Sequence, residues 1–210
     1  MNNNPKIYYI APVYNLKSII ESGYIFSYSK IKKSDKYKNA NIGLNNIKER
    51  RLNNCFESYP DLKVGQCVPF YYCYRSVMLF LIYMKNDNLS FKDGQEFIVH
   101  FEFDMFKVVE WAKRNNKRWV ITDSNAGSYY FKDSNKIDFL KELNWNAINS
   151  LDWGGKDKIK HEKQAEFLVE EKVDFNLVER IGVFDIEMLN EVKKIVNKDI
   201  KVEVCNNWYY

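Results

Sequence analysis

The chain has 210 residues, of which 46% are hydrophobic and 16% aromatic, and its formal net charge is +4. This composition excludes a disordered chain and allows one domain with a substantial core, so we predict a single domain over residues 1–210. The mildly basic charge permits nucleic-acid binding without requiring it, because clustering of the lysines matters more than their sum.

Residues that bind metals or form disulfides are few. The chain has four cysteines and two histidines, and no Cys-x-x-Cys pair occurs. We therefore predict no zinc site and reduced thiols. The sequence shows no secretory signal and no apolar run approaching the ~20 residues of a membrane span. We expect a cytoplasmic monomer without a membrane partner.

Hydrophobic periodicity and turn residues divide the first half of the chain into short elements. In chain order they are a strand at Ile7–Ile10, a helix at Asn15–Glu21, a mobile polar segment at Lys30–Asn46, one or two helical turns at Asn46–Leu52 and a strand at Val68–Tyr74. Asn15 is a candidate N-cap of the first helix, and Gly23 fits its C-terminal stop. Val77–Tyr83 is almost wholly apolar and fits a buried helix or a strand.

The second half is predicted in the same way. In chain order the elements are a strand at Glu96–Phe103, a helix at Phe106–Asn115, a strand that begins at Trp119, a short helix at Ile137–Leu143, a strand at Glu166–Val173, a strand at Val178–Phe184, an amphipathic helix at Ile186–Asn197 and a last strand that ends at Trp208–Tyr210.

One carboxylate stands out in this pattern. Glu166 lies at the mouth of the apolar stretch Lys163–Val169, where an unpaired carboxylate would lose its hydration. The preceding stretch, Asp152–Glu162, is predicted to be a glycine-containing, cation-rich loop. The pattern leaves two interpretations open: Glu166 is solvated at a sheet rim, or it is the acid of an enzyme that acts on a polyanion.

The paired Arg50 and Arg51 allow two interpretations as well. Guanidinium groups bind phosphates and carboxylates in a forked geometry, so the pair suits ligand recognition beside a mobile segment. The alternative is the solvated face of a surface helix.

Several short blocks of sequence, each too loose to be informative alone, together resemble a known family. They are Ile7–Ile10 with Asn15–Gly23, Ile42–Gly43 with Ile47–Arg51, Val68–Tyr72 with Arg75–Ser76 and Met78–Leu79, Trp119–Asp123, Gln164–Val169, Ile181–Val183 and Trp208–Tyr210. In this order they resemble the DNA ADP-ribosyltransferase toxins of the DarT family over nearly the whole chain.

The resemblance implies an α+β chain with the ADP-ribosyltransferase fold, in which two facing, mostly antiparallel sheets surround an NAD cleft and helices flank them. It implies transfer of ADP-ribose from NAD+, used as a substrate, onto a base of single-stranded DNA without a metal. That base is thymine or, in a divergent branch, guanine. It also implies an antitoxin partner that removes the ADP-ribose.

The resemblance further implies roles for individual residues. Glu166 is the implied catalytic acid, which stabilises oxocarbenium charge on the ribose and takes a proton from the attacking base, and Arg51 assists it. The implied NAD-binding residues are Tyr9, Ala11, Asn15, Gly23, Ile42, Arg51, Phe70 and Tyr71. The implied DNA-binding residues are Arg50, Arg75, Trp153, Lys156, Lys158, Lys160 and His161.

The chain departs from the family pattern near the site, which leaves the choice of base open. Tyr9 and Ala11 stand where the family carries His and Thr, and Ser124-Asn125-Ala126 stands for Gly-His-Ala. Two other functions remain as alternatives. One is an ADP-ribosyltransferase that modifies protein or RNA, and the other is a non-catalytic nucleic-acid-binding domain in which Glu166 is structural.

Overall fold

The computed structural model describes residues 4–34, 42–196 and 199–210. Its strands are, in chain order, β1 (Lys6–Pro12), β2 (Tyr24–Phe26), β3 (Cys67–Tyr71), β4 (Ile98–Asp104), β5 (Trp119–Thr122), β6 (Asp133–Ser134), β7 (Glu166–Glu170), β8 (Lys172–Asp174), β9 (Val178–Val183) and β10 (Lys201–Val204). Its α-helices are α1 (Leu16–Ser22), α2 (Tyr28–Lys32), α3 (Asn45–Asn53), α4 (Val77–Tyr83), α5 (Met105–Arg114), α6 (Trp145–Ile148), α7 (Asp157–Glu162) and α8 (Ile186–Ile195).

Eight of these strands form one hydrogen-bonded sheet in the order β10-β9-β4-β1-β3-β7-β5-β6, and β2 pairs with β8 in a second, small sheet. Strands β10 and β9 are parallel, whereas the other pairs are antiparallel. A single residue pair, Tyr8 with Tyr71, joins β1 to β3. The large sheet therefore divides into two halves at this point.

The inner faces of the two halves pack into one core. Phe70 of β3 meets Phe103 of β4 edge-on, with ring centroids 5.2 Å apart, and Phe167 of β7 lies beside the same ring. Each of these side chains is fully buried, and such burial is worth about 1.5–3 kcal/mol per side chain. Apolar residues of α5 and α8 complete this core.

The caps explain where two helices begin and end. Gly23 adopts a left-handed conformation with φ of 72°, and its N–H donates to the carbonyls of Ile19 and Ile20, which confirms the predicted stop of α1. Val77–Tyr83 is a helix, because the Ser76 hydroxyl accepts the Leu79 N–H at 3.1 Å and caps its first turn.

Several sequence-based boundaries were wrong. The cation-rich loop becomes helix α7 over Asp157–Glu162, and Trp208 ends a 3₁₀ turn after β10 instead of a strand. The predicted mobile segment begins inside α2 and ends inside α3, and its residues 35–41 lie outside the described residues. Within the described part of the chain, no helix has the length and apolar character to cross a bilayer.

Candidate active site

A cavity of about 240 Å³ opens where β1, β3 and β7 meet helices α2, α3 and α4. Most of its wall is apolar or aromatic. The charged residues among those that line it are Lys48, Arg51 and Glu166. A mostly apolar cavity with a few convergent polar groups is the usual form of a ligand site.

Glu166 and Arg51 form a buried ion pair in this wall. The Arg51 Nη1 donates to both Glu166 carboxylate oxygens at 3.0 Å, while the side chains are 12% and 1% exposed. The Arg51 Nη2 is buried and has no hydrogen-bond partner among the described residues. A buried donor without a partner costs free energy, so this nitrogen is available to a ligand.

The backbone around Glu166 fixes its place. Glu166 is the first residue of β7, where it lies opposite Tyr71 of β3. Its N–H donates to the Thr122 hydroxyl at 3.2 Å, and this hydroxyl donates to the Ser124 carbonyl at 2.6 Å. The Ala126 N–H approaches the carboxylate at 3.4 Å. Strand β5 and the turn after it therefore hold the carboxylate in position.

Two glycines let α3 bring Arg51 close to Glu166. A Cβ at Gly127 would lie 2.6 Å from the Ile47 Cγ2 and 3.2 Å from the Arg51 Cγ. A Cβ at Gly65 would lie 2.8 Å from a Leu52 methyl carbon and 3.1 Å from the Arg51 carbonyl oxygen. The helix can pack this closely only because neither position carries a side chain.

The site perturbs the acidity of its own groups. Burial lowers the pKa of Arg51, but the Glu166 carboxylate more than offsets it, so the net shift is upward. Burial, and then the charge of Glu166, raise the pKa of Tyr71. Burial and the Arg51 charge lower the pKa of Lys48 to about 8. Lys48 is therefore a cation that titrates near physiological pH inside the cavity.

The structure brings most of the predicted NAD-binding residues together. Those that line the cavity with Glu166 are Tyr9, Ala11, Asn15, Ile42, Arg51 and Tyr71. Gly23 and Phe70 do not line it. Gly23 caps α1, and Phe70 is fully buried in the core, so their placement in the cofactor site is corrected.

The predicted DNA-binding residues separate into an exposed set and a buried one. Exposed side chains on and before α7 are Lys156, Lys158, Lys160 and His161. Trp153 is only 7% exposed and packs edge-on against Phe80 at 4.8 Å, so its ring is already covered by protein. Lys163, at the end of the same basic run, is buried, and its Nζ donates to the Ile148 carbonyl at 2.8 Å.

The two predicted DNA-binding arginines each lie over a tyrosine ring. The Arg50 guanidinium is 4.8 Å from the Tyr129 ring centroid, and the Arg75 guanidinium is 5.5 Å from that of Tyr210. Arg50 is the neighbour of Arg51 on α3, whereas Arg75 lies in the turn before α4.

Sequence reasoning did not assign Lys48, Asn125 or Gln164, which also line the cavity. Lys48 and Arg51 are three residues apart, a spacing that places both on one face of a helix. This spacing could have identified Lys48 as a site residue once Arg51 was assigned. The Asn125 amide donates to the Gln164 side-chain oxygen at 3.3 Å, and its own oxygen accepts the Gly127 N–H at 2.7 Å. No spacing in the sequence predicts the Asn125–Gln164 contact.

The sequence profile of the family described as ssDNA thymidine ADP-ribosyltransferase, DarT, matches residues 8–210. The chain belongs to the DarT family. A DNA ADP-ribosyl transferase of Thermus aquaticus is 31% identical over an alignment of 209 positions, which covers 97% of this chain and 88% of that protein.

Solved DarT structures share the fold. The DarT of Thermus sp. 2.9 in complex with ADP-ribosylated single-stranded DNA superposes with a TM-score of 0.86 at 27% identity, covering 98% of this chain and 96% of that one. The same protein in complex with NAD+ gives 0.82 at 25% identity, with 99% and 98% covered. The predicted family, fold and enzyme class, an NAD-dependent DNA ADP-ribosyltransferase, are thereby confirmed.

Proposed function

We propose that this DarT-family chain transfers ADP-ribose from NAD+ to thymine or guanine in single-stranded DNA, with Glu166 as the catalytic carboxylate and Arg51 as its assisting cation. The observation that carries the proposal is the buried Glu166–Arg51 pair, which opens on a cavity and leaves one guanidinium nitrogen without a partner in the described part of the chain. A pair that only stabilised the fold would not need a cavity.

The chemistry follows from the position of the carboxylate. The bond between the nicotinamide nitrogen and the ribose C1′ breaks, and nicotinamide leaves with the electron pair. Glu166 stabilises the positive charge that develops on the ribose. A ring nitrogen of the base then bonds to C1′, and its proton passes to Glu166, which acts as the general base.

The requirement for a proton on the attacking nitrogen limits the acceptor. Among the DNA bases, only thymine and guanine carry a ring N–H next to a carbonyl group. Asn125 and Gln164 each use one amide hydrogen inside the protein, because Gln164 donates to the Lys160 carbonyl at 2.9 Å. Their second N–H groups are suitable donors to O4 of thymine or O6 of guanine, whereas cytosine and adenine carry an amino group at the corresponding carbon.

The cations of the cavity suit the pyrophosphate of NAD+. Lys48 lies on the same face of α3 as Arg51, and no described carboxylate pairs with it. We assign Lys48 to the phosphates and the spare Nη2 of Arg51 to a substrate oxygen, because guanidinium and ammonium groups form charge-assisted hydrogen bonds with such oxygens. Tyr9 and Tyr71 provide aromatic walls for the nucleotide rings.

The exposed cations near α7 suit the DNA backbone. Lys156, Lys158, Lys160 and His161 precede Gln164 and Glu166 directly along the chain. Phosphate contacts of this kind supply affinity and orientation and do not depend on sequence. We therefore assign these residues to phosphates of the acceptor strand.

A bulky, charged adduct on a base prevents normal pairing, so we infer that the modification blocks DNA replication and makes the protein a toxin in the cytoplasm. A cell that carries such an enzyme needs a partner that removes the ADP-ribose or binds the toxin. This inference rests on the family resemblance and on the chemistry of the adduct.

The test is to incubate the protein with NAD+ and one of four single-stranded oligonucleotides. These differ only at one target position, which holds dT, dG, dC or dA, and the rest of the strand contains no dT or dG. The products are identified by mass spectrometry. We expect an ADP-ribose adduct on dT or dG alone. An adduct on RNA or protein in place of DNA would refute the substrate assignment. Absence of nicotinamide release would favour a non-catalytic binding domain.

A further inference from the structure

Two neighbouring tyrosines, Tyr129 and Tyr130, lie almost fully in solvent. They are 81% and 88% exposed, the highest values among the large hydrophobic side chains of the described residues. An aromatic ring normally contributes to stability by burying its area, and two adjacent exposed rings contribute little of that kind. The next residue, Phe131, shows the contrast, because its ring packs edge-on against Phe56.

The loop that carries these tyrosines is anchored beside the active site. Asn54 at the end of α3 donates its side-chain amide to the carbonyls of Ala126 and Ser128 at 3.4 and 3.2 Å. Gly127 lies against Arg51, and the chain from Gly127 spans at most ~7 Å to Tyr129 and ~11 Å to Tyr130. Both rings are therefore held near the cavity rim while most of their surface remains open to solvent.

A cation accompanies the rings. The Arg50 guanidinium lies 4.8 Å from the Tyr129 centroid, and it forms no ion pair with any residue of the described ranges. An arginine held against an aromatic face leaves its outer N–H groups free for a phosphate. Aromatic faces with an adjacent unpaired cation are the features by which single-stranded nucleic acid is bound.

We propose that Tyr129 and Tyr130 form a platform on which the bases flanking the modified nucleotide stack, while Arg50 binds the phosphate between them. This platform rests on the proposed transfer to DNA and adds to it, because it binds nucleotides that do not react. Stacking tolerates any base, so the platform contributes affinity and positions the strand, and the choice of target base stays with the cavity.

The test compares a Tyr129→Ala/Tyr130→Ala variant with Tyr129→Phe/Tyr130→Phe, which keeps both stacking faces and removes only the hydroxyls. Both pairs of substitutions are at exposed positions and leave the fold intact. The Kd of a fluorescent 12-mer with one target base is measured by anisotropy, together with the KM for the same strand and the rate of nicotinamide release. A second 12-mer carries abasic sites on both sides of the target base.

We expect the alanine variant to raise Kd and KM for the intact strand at least roughly 5- to 150-fold, the range for loss of one stacked base. The phenylalanine variant should stay within about twofold of the wild type. The abasic strand should bind all three proteins equally weakly, and nicotinamide release from NAD+ in the absence of DNA should not change.

Equal Kd for the wild type and the alanine variant on the intact strand would overturn the platform. So would an alanine effect of the same size on the abasic strand, because a contact with flanking bases cannot act where those bases are missing. A wild type that binds the 12-mer through the tyrosines but leaves it unmodified would support the platform and refute the proposed transfer.

Discussion

Two arginine–carboxylate pairs have their carboxylates on strands in different halves of the large sheet, Glu166 on β7 and Glu102 on β4, and they differ in how fully the guanidinium is used. Arg180 of β9 binds both oxygens of Glu102 on β4, through Nε at 2.8 Å and Nη2 at 2.9 Å, and its Nη1 donates to Glu203 at 3.1 Å. Arg51 uses a single nitrogen for both oxygens of Glu166, and its Nη2 has no described partner.

The surroundings of the two pairs also differ, because the Arg180–Glu102 pair has further protein contacts and the Arg51–Glu166 pair has an open side. Tyr8 donates its hydroxyl to Glu102 at 3.1 Å, and the Trp208 ring covers the Arg180 guanidinium at 4.7 Å. The Glu166–Arg51 pair instead faces the cavity. A saturated pair stabilises the strands that it joins, whereas an unsaturated pair beside a cavity keeps bonding capacity for a substrate.

The largest effect that follows from this comparison is on catalysis at Glu166. We expect Glu166→Gln to lower ADP-ribose transfer about 1,000-fold or more, because the amide carries no charge to stabilise the ribose cation and cannot take a proton. Mass spectrometry of the oligonucleotide gives the rate, and circular dichroism should show an unchanged fold. Transfer at the wild-type rate would remove Glu166 from the mechanism.

Arg51→Ala should lower NAD-dependent transfer about 100-fold, because it removes the charge that faces the substrate and orients the carboxylate. Arg114→Ala is the matched control, since Arg114 is exposed on α5 and its one ion pair with a described residue is to Glu110, one helical turn away. The activity of both variants is measured as the rate of nicotinamide release in the presence of the oligonucleotide. If Arg51→Ala behaved like the control, the assisting role would have to move to another residue.

Substitution in the Arg180–Glu102 pair should lower the stability of the fold and leave ADP-ribose transfer unchanged. Arg180→Ala leaves the Glu102 carboxylate buried without its partner, and we expect the free energy of unfolding to fall by about 2 to 4 kcal/mol, less than for a fully buried pair because Arg180 is 31% exposed. The melting temperature should fall by about 4 to 16 °C. A loss of transfer by folded protein at low temperature would contradict the division between the two pairs.

Lys48 offers a pH test of the cavity. Burial lowers its pKa to about 8, so the free enzyme carries this cation below that pH and loses it above. The value of kcat/KM for NAD+ should therefore fall about tenfold as the pH rises through about 8, since the phosphates lose a charged partner. Lys48→Met should abolish this dependence. The same pH profile in both proteins would assign the titration to another group.

The smallest effect is expected from substitutions of exposed lysines near α7, away from either ion pair. Reversing the charges with Lys156→Glu and Lys158→Glu should raise the KM for the oligonucleotide about threefold and reduce the salt dependence of binding by about two counterions. Nicotinamide release from NAD+ in the absence of DNA should be unchanged. Equal losses in both assays would show that these lysines do not act through DNA.

Local signals were sufficient to predict parts of this fold and of its site. The glycine stop of α1, the strand that carries Glu166 and the arginine pair on a helix each depend on neighbours in sequence. The ordered blocks of the family then predicted the fold and the enzyme class, which the comparisons confirmed.

The remainder depended on contacts between distant segments. Val77–Tyr83 is apolar throughout, so its periodicity does not distinguish a helix from a strand, and in the fold it is a helix that buries Val77, Leu79 and Ile82. Trp153 and Lys163 belong to a polar stretch, yet Phe80 covers one and the Ile148 carbonyl binds the other. Composition predicts exposure for such residues, but tertiary packing determines it.

The missing side chain at Gly127 has a practical consequence for genetics. One methyl group there would meet Ile47 and push α3, with Arg51, away from Glu166. The strands of the core lie elsewhere, so the damage would fall on the reaction. Colonies that survive expression of an active toxin should therefore include Gly127 substitutions, and those alleles would provide attenuated protein for crystallisation with intact DNA.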